Sequence, residues 1–202
     1  MSDLSNVIAP LAIVLVLVAV AYFAIKAHRA QVAAWAEFAQ RHGMQARGLH
    51  VEGTYEGYHL TVETQSRGSG KNRYTVAVLH LSLQDFLPDN FSLEREGFGD
   101  KILRFFGQQD AQIGDTDFDK YFDLTNLSPA VATVLRHPSV QQHLYELARY
   151  YMNFHIRQGW LQAEQRRVPT TADQLEDLTG PALMLAHTLD EASKRSNKWT
   201  AG

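Results

Sequence analysis

The sequence predicts an α+β protein: a single N-terminal transmembrane helix continuing into an amphipathic helix, then a mainly antiparallel sheet with packed helices. Three observations carry that reading. An uncharged apolar run opens the chain. The middle alternates apolar and polar residues at the period of two that marks half-buried strands. The last third returns to apolar residues at three- and four-residue steps behind a capping box.

The apolar run, Val7 to Ile25, reads VIAPLAIVLVLVAVAYFAI and carries no charge. As a helix it measures about 28 Å, close to the hydrocarbon thickness of a bilayer. Pro10 falls near its start, where a missing N–H costs least. Tyr22 and Phe23 sit near the far end, as interfacial aromatics do. A cleaved signal peptide would place its basic residues before the run. Here the leader MSDLSN has Asp3 and no Lys or Arg, while Lys26 and Arg29 follow. That charge order favours a retained anchor over a leader. It also puts the N-terminus outside and everything from Lys26 onward in the cytoplasm of a cell with an inner membrane.

The stretch KAHRAQVAAWAEFAQRH is rich in helix formers, with Val32, Trp35, Phe38 and Ala39 on one face and Gly43 as a stop. Its few basic residues favour docking on the following domain over lying flat on lipid. Val51 to Tyr55 and Tyr58 to Thr64 form a hairpin around Glu56-Gly57. Arg73 to Leu83 is the strongest strand and Phe91 to Arg95 a shorter one, followed by a helical turn at Lys101 to Phe106. Pro129 to Leu135 is helical, broken by His137-Pro138, and Ser139 to Met152 resumes with Val140, Leu144, Leu147 and Tyr151 on one face. Asn153 to Arg166 is a second hairpin turning at Gln158-Gly159. Thr171 and Gln174 cap a last helix, which Gly180-Pro181 interrupts, and Ser193 onward frays into a polar tail. The resulting division is residues 1–30 for the anchor and its flanks, 31–43 for the juxtamembrane helix, 44–192 for the cytoplasmic domain and 193–202 for the tail.

Composition removes several chemistries. The 202 residues are 45% hydrophobic, enough for a core, and the net charge of −3 offers nucleic acid nothing. With no cysteine there is no disulfide, thiolate metal site or cysteine nucleophile. The segment QIGDTDFDKYFDLT spaces Asp115, Asp117 and Asp119 two apart, like the start of an EF-hand loop. That loop needs Gly at position six and Glu at twelve; Lys120 and Asn126 stand there. The structural alternative is a turn at Gly114-Asp115, a cap from Asp115 or Thr116, Phe118 and Phe122 facing the core, and Asp119 and Asp123 solvated. SRGSGKN contains Gly-Ser-Gly-Lys, but Gln65 and Asn72 occupy positions where a phosphate loop needs Gly and Ser or Thr. It reads as a hairpin loop whose Arg67, Lys71 and Arg73 could meet headgroups were it to face lipid. The nine histidines include no His-x-His or His-x-x-x-His spacing, although His50 and His59 flank one hairpin and His80 and His155 lie in or near strands. No residue is assigned a catalytic, cofactor-binding or metal-ligating role, and no cofactor is expected.

Gly53-Thr54-Tyr55-Glu56-Gly57, Tyr74-Thr75-Val76 and Gly114-Asp115-x-x-Phe118-Asp119-x-x-Phe122 resemble short motifs of a group of uncharacterised bacterial membrane-anchored proteins. The resemblance covers about Trp35 to Leu161. It implies one or two N-terminal transmembrane helices, a cytoplasmic α+β domain and a structural role for the Asp/Phe pattern, and it carries no activity. The function expected is a non-enzymatic, membrane-tethered interaction or accessory module of a larger membrane complex. Its partners are lipid, through Val7 to Ile25, and a further protein. A membrane-anchored hydrolase or metal-dependent enzyme is the alternative.

Overall fold

A computed structural model describes residues 2–84, 86–95 and 112–200, with side chains described between residues 14 and 195 of these ranges. The helical turn expected at Lys101 to Phe106 lies outside them. The elements run α1 (Ser2–Arg41), β1 (Gln45–Ala46), β2 (His50–Tyr55), β3 (Tyr58–Arg67), β4 (Tyr74–Ser82), β5 (Ser92–Arg95), α2 (Thr116–Tyr121), β6 (Phe122–Thr125), α3 (Pro129–Leu135), α4 (Pro138–Tyr150), β7 (Asn153–Arg157), β8 (Trp160–Gln165) and α5 (Ala172–Thr200). The fold is α+β: an apolar N-terminal helix, then one eight-stranded antiparallel sheet with helices packed on it, in the order β1-β2-β3-β4-β8-β7-β5-β6.

Alternation along the strands gives the sheet two unlike faces. Leu60, Leu81, Leu161, Ile156, Leu93 and Leu124 stand in register across six strands, and all are buried. This row belongs to the core that α1, α3, α4 and α5 cover with Trp35, Phe38, Leu135, Leu147 and Leu185. One residue along, the register row is Glu52, Thr61, His80, Gln162, His155, Glu94 and Asp123. None of these seven is fully buried.

α1 is one helix of 40 residues with two environments. Val14 to Ile25 is exposed along its whole length: Leu15 is 62% and Phe23 65% exposed. By length and composition this helix can cross a membrane. Further along, Ala34, Trp35, Phe38 and Ala39 are buried against the domain. Gln31 Nε2 and the Trp35 indole N–H both donate to the Pro169 carbonyl, at 2.9 and 3.1 Å, and Arg41 donates to Asp173 at 2.8 Å. The second half of α1 therefore docks on the domain. It ends at Gly43, whose φ of 67° only glycine adopts freely. There the N–H of Met44 reaches the Ala39 carbonyl at 2.8 Å and that of Gly43 reaches Gln40, the paired closure of a Schellman motif.

Four details differ from expectation. α1 begins at Ser2, with Asp3 in a first turn where the helix dipole favours an acid. β1 is two residues long, too short to leave a periodic signal. Phe122 does not continue the helix of Phe118; it opens β6, pairs with Arg95, and still brings its ring to 4.7 Å from that of Phe118. α5 runs straight through Gly180-Pro181 and on to Thr200. Pro181 cannot donate to the carbonyl of residue 177. The buried Tyr151 hydroxyl inserts beside this gap and donates to the Leu178 carbonyl at 2.6 Å. Lys194–Asp190 and Arg195–Glu191 pairs, four residues apart, support the helix where a frayed tail was expected.

Candidate functional site

The aspartate segment is a device for holding backbone. Asp115 caps α2, its Oδ1 accepting from the N–H groups of Asp117 and Phe118 at 3.1 and 3.2 Å. Asp119 is not solvated as expected. Its two carboxylate oxygens accept from the N–H groups of Ile113 and Gly114, at 2.9 and 3.0 Å, and lock the turn before the helix. Arg136 Nε then holds the Ile113 carbonyl at 2.7 Å. Asp117 is exposed at the helix N-terminus. Asp115 and Asp119 thus serve different N–H groups, Asp117 stays exposed, and the three carboxylates do not converge on a metal-binding position among the described residues.

SRGSGKN ends β3 and turns through a short 3-10 segment, Gly70–Asn72, into β4. Arg67 is drawn back onto the sheet, where its guanidinium pairs with Glu164. Lys71 and Arg73 remain at the tip.

The open face of the sheet gathers four histidines. His50 lies 3.6 Å from Glu52 and 3.5 Å from Glu63; His59 lies 3.7 Å from Glu52 and His80 4.0 Å from Glu63. His50 and His59 do meet across the first hairpin, through Glu52 between them. Among the described residues no group of three His, Asp or Glu is placed to hold a metal ion.

On the same face, β4, β8, β7, β5 and β6 meet the loops after β4 and β6 in a cleft of about 560 Å³. His80, Gln162, His155 and Trp160 form its floor. Asn90 and Asn126 form part of its rim, joined by a bond of 2.7 Å from Asn126 Nδ2 to the Asn90 carbonyl. Burial holds both imidazoles below the ordinary histidine value, against the opposing pull of Glu63 on His80 and of Glu94 on His155. Near neutral pH each is an uncharged ring with one donor and one acceptor nitrogen. Arg157 at the cleft wall is paired to Glu94, so its charge is already answered. The cleft offers hydrogen-bonding groups and an indole edge, and its described lining holds no activated nucleophile.

Sequence reasoning marks His80 and His155 separately and misses that they share a floor. They are 75 positions apart in the numbering, and only the β4-β8-β7 order places Gln162 between them. A signal for the turn exists at Gln158-Gly159, where Gly159 accepts from Leu83 N–H at 2.6 Å and has no room for a Cβ beside Gln84.

No protein-family model matches the chain, and no curated protein matches it. Among solved structures it is similar to the crystal structure of the mycobacterial trehalose monomycolate transport factor A, TtfA. The identity is 11% and the TM-score 0.49, over 80% of this chain and 95% of that one.

Proposed function

We propose that this protein is a single-pass inner-membrane accessory module, non-enzymatic, with its N-terminus outside and its sheet domain in the cytoplasm. The observation that carries the reading is α1. Its first half leaves a continuous apolar surface from Val14 to Ile25 uncovered, and its second half is built into the core of the domain. Lipid is the solvent that suits such a surface, and Lys26 and Arg29 behind it favour the cytoplasmic side. Residues 1–30 are the anchor with its flanks and 31–43 join it to the domain. The resemblance of short motifs here to those of membrane-anchored proteins supports this reading. The open face, polar and half-exposed, is the surface offered to a protein partner in a membrane complex.

Reporter fusions after Gly202 test the topology: a cytoplasm-active reporter should work and a periplasm-active one should stay silent, and the reverse pattern overturns the orientation. For the accessory role, the double variant His80→Gln, His155→Gln should lose co-purification with the complex in mild detergent while remaining folded and membrane-bound. Unchanged co-purification would move the partner surface off this face.

A further inference from the structure

The end of the sheet that points toward the anchor carries a basic surface, and we propose that it rests on anionic lipid headgroups. The proposal depends on the anchor reading above. The direction of α1 over the sheet is set by two contacts. The rings of Phe38 and His42 pack on Tyr55, the last residue of β2, with centroids at 5.8 and 4.2 Å. Earlier in the helix, Gln31 and Trp35 reach Pro169, just beyond the end of β8. From His42 back to Gln31 the helix rises about 16 Å, so it climbs from the Tyr55 end of the sheet to the Gln165 end. Continuing the same way it passes Arg29 and Lys26 and enters the apolar run.

At that same end β3 and β4 are joined, Arg67 standing opposite Tyr74. The loop between them presents Lys71 and Arg73, and the segment after β8 presents Arg166 and Arg167. None of these four forms an ion pair among the described residues. The nearby acids are mostly engaged: Glu164 by Arg67 and Asp173 by Arg41, leaving Asp177 on α5. Outside α1, the exposed large hydrophobic residues described are Tyr74, Tyr150 and Met184. Both tyrosines belong to this end: the Arg166 guanidinium lies 5.2 Å over the Tyr74 ring, and Gln165 Nε2 donates to the Tyr150 carbonyl at 2.9 Å. Basic side chains beside tyrosines suit the headgroup layer, where phenol rings lie at the interface and each Lys or Arg shifts the equilibrium toward an anionic surface roughly fivefold. Lys26 and Arg29 supply the same charge on the anchor itself. An acidic soluble partner would need no such placement around the point where the anchor leaves the domain.

The native chain has no cysteine, so single labelling sites can be introduced. Full-length protein would be reconstituted in nanodiscs of phosphatidylcholine, with or without phosphatidylglycerol. A fluorophore is placed at Leu17→Cys, Ser69→Cys or Thr54→Cys, and quenchers are carried on acyl chains or headgroups. Leu17 should be quenched by the acyl-chain probe. Ser69 should be quenched by the headgroup probe in anionic discs, and several-fold less in zwitterionic discs, in high salt, or with Arg73→Gln, Arg166→Gln and Arg167→Gln together. Thr54, at the far end, should remain unquenched. A quenched Leu17 with a Ser69 signal that is absent or blind to lipid charge overturns the headgroup contact alone. An unquenched Leu17 overturns the anchor and the headgroup contact with it. If the triple variant misfolds, the native surface still decides the matter: Ser69 quenching that high salt leaves unchanged overturns the contact.

Discussion

Asp119 ties two backbone N–H groups with one carboxylate, whereas Asp117, two residues earlier, is exposed. Losing the acceptor of the partly buried Ile113 amide, and of the exposed Gly114 amide with it, costs about 1–3 kcal/mol, so Asp119→Ala should lower the melting temperature clearly. Asp115→Ala removes a cap worth roughly 1 kcal/mol. Asp117→Asn should stay within about 0.5 kcal/mol, and Phe118→Ala, fully buried, should cost about 3–5 kcal/mol. Thermal melts of the four variants rank them; Asp117→Asn outranking Asp119→Ala would sink the structural reading. Asp115 and Phe118 are legible in the sequence because caps and helical spacing are local. Asp119 is not, because its partners, Ile113 and Gly114, lie behind the helix in a turn with no periodic signature. His80 and His155 give a pH signature. Burial lowers both pKa values in the folded state, so between about pH 6.5 and that lower value the unfolded chain binds protons the folded one refuses. Stability therefore falls as pH drops through this window. Melting curves of the His80→Gln, His155→Gln variant should show a shallower dependence between about pH 7 and 5 than the parent; an equal slope would assign the acid sensitivity to other groups.

Among the elements, α5 shows how tertiary structure overrides a local breaker. Pro181 stops a helix when nothing else holds the turn; here the core face of α5 and the Tyr151 hydroxyl hold it. Tyr151→Phe keeps the packing and removes that donor, and should cost about 1–3 kcal/mol with no change in helix content by circular dichroism. A neutral Tyr151→Phe would mean that packing alone carries the helix past the proline. Both hairpins are legible, since Glu56-Gly57 and Gln158-Gly159 sit between alternating runs. β6 is not: its four residues follow a helix without a break, and a phenylalanine at either spacing fits either element. For α1 the useful boundary lies before Gln31. Removal of residues 1–30 should leave a domain that melts cooperatively. Removal of residues 1–43 takes Trp35 and Phe38 out of the core, about 3–5 kcal/mol each, and should abolish cooperative melting. Cooperative unfolding of the shorter fragment would show α1 to be dispensable to the fold.

Over the whole molecule, the class is readable because the apolar run, the period-two strands and the capped final helix each signal locally. Strand order is a different kind of information. β8 inserts between β4 and β7 although some eighty residues separate it from β4, and no local pattern encodes that pairing. The cleft inherits this non-locality, which is why its floor reads in sequence as scattered histidines. What the order creates is a directional object: one polar face, one covered face, and a helix leaving one end. Since α1 is continuous from its bare apolar half to its docked half, it transmits rotation as a shaft does. Each residue turns it by about 100°. A neighbouring helix gripping one side of Val14 to Ile25 would thereby fix the compass bearing of the open face. Two residues inserted at Ala30 would swing that face by about 200° while sparing both the apolar run and the domain, and seven, close to two whole turns, would bring it back. A partner that touches both the apolar half of α1 and the open face should be lost with the first insertion and regained with the second.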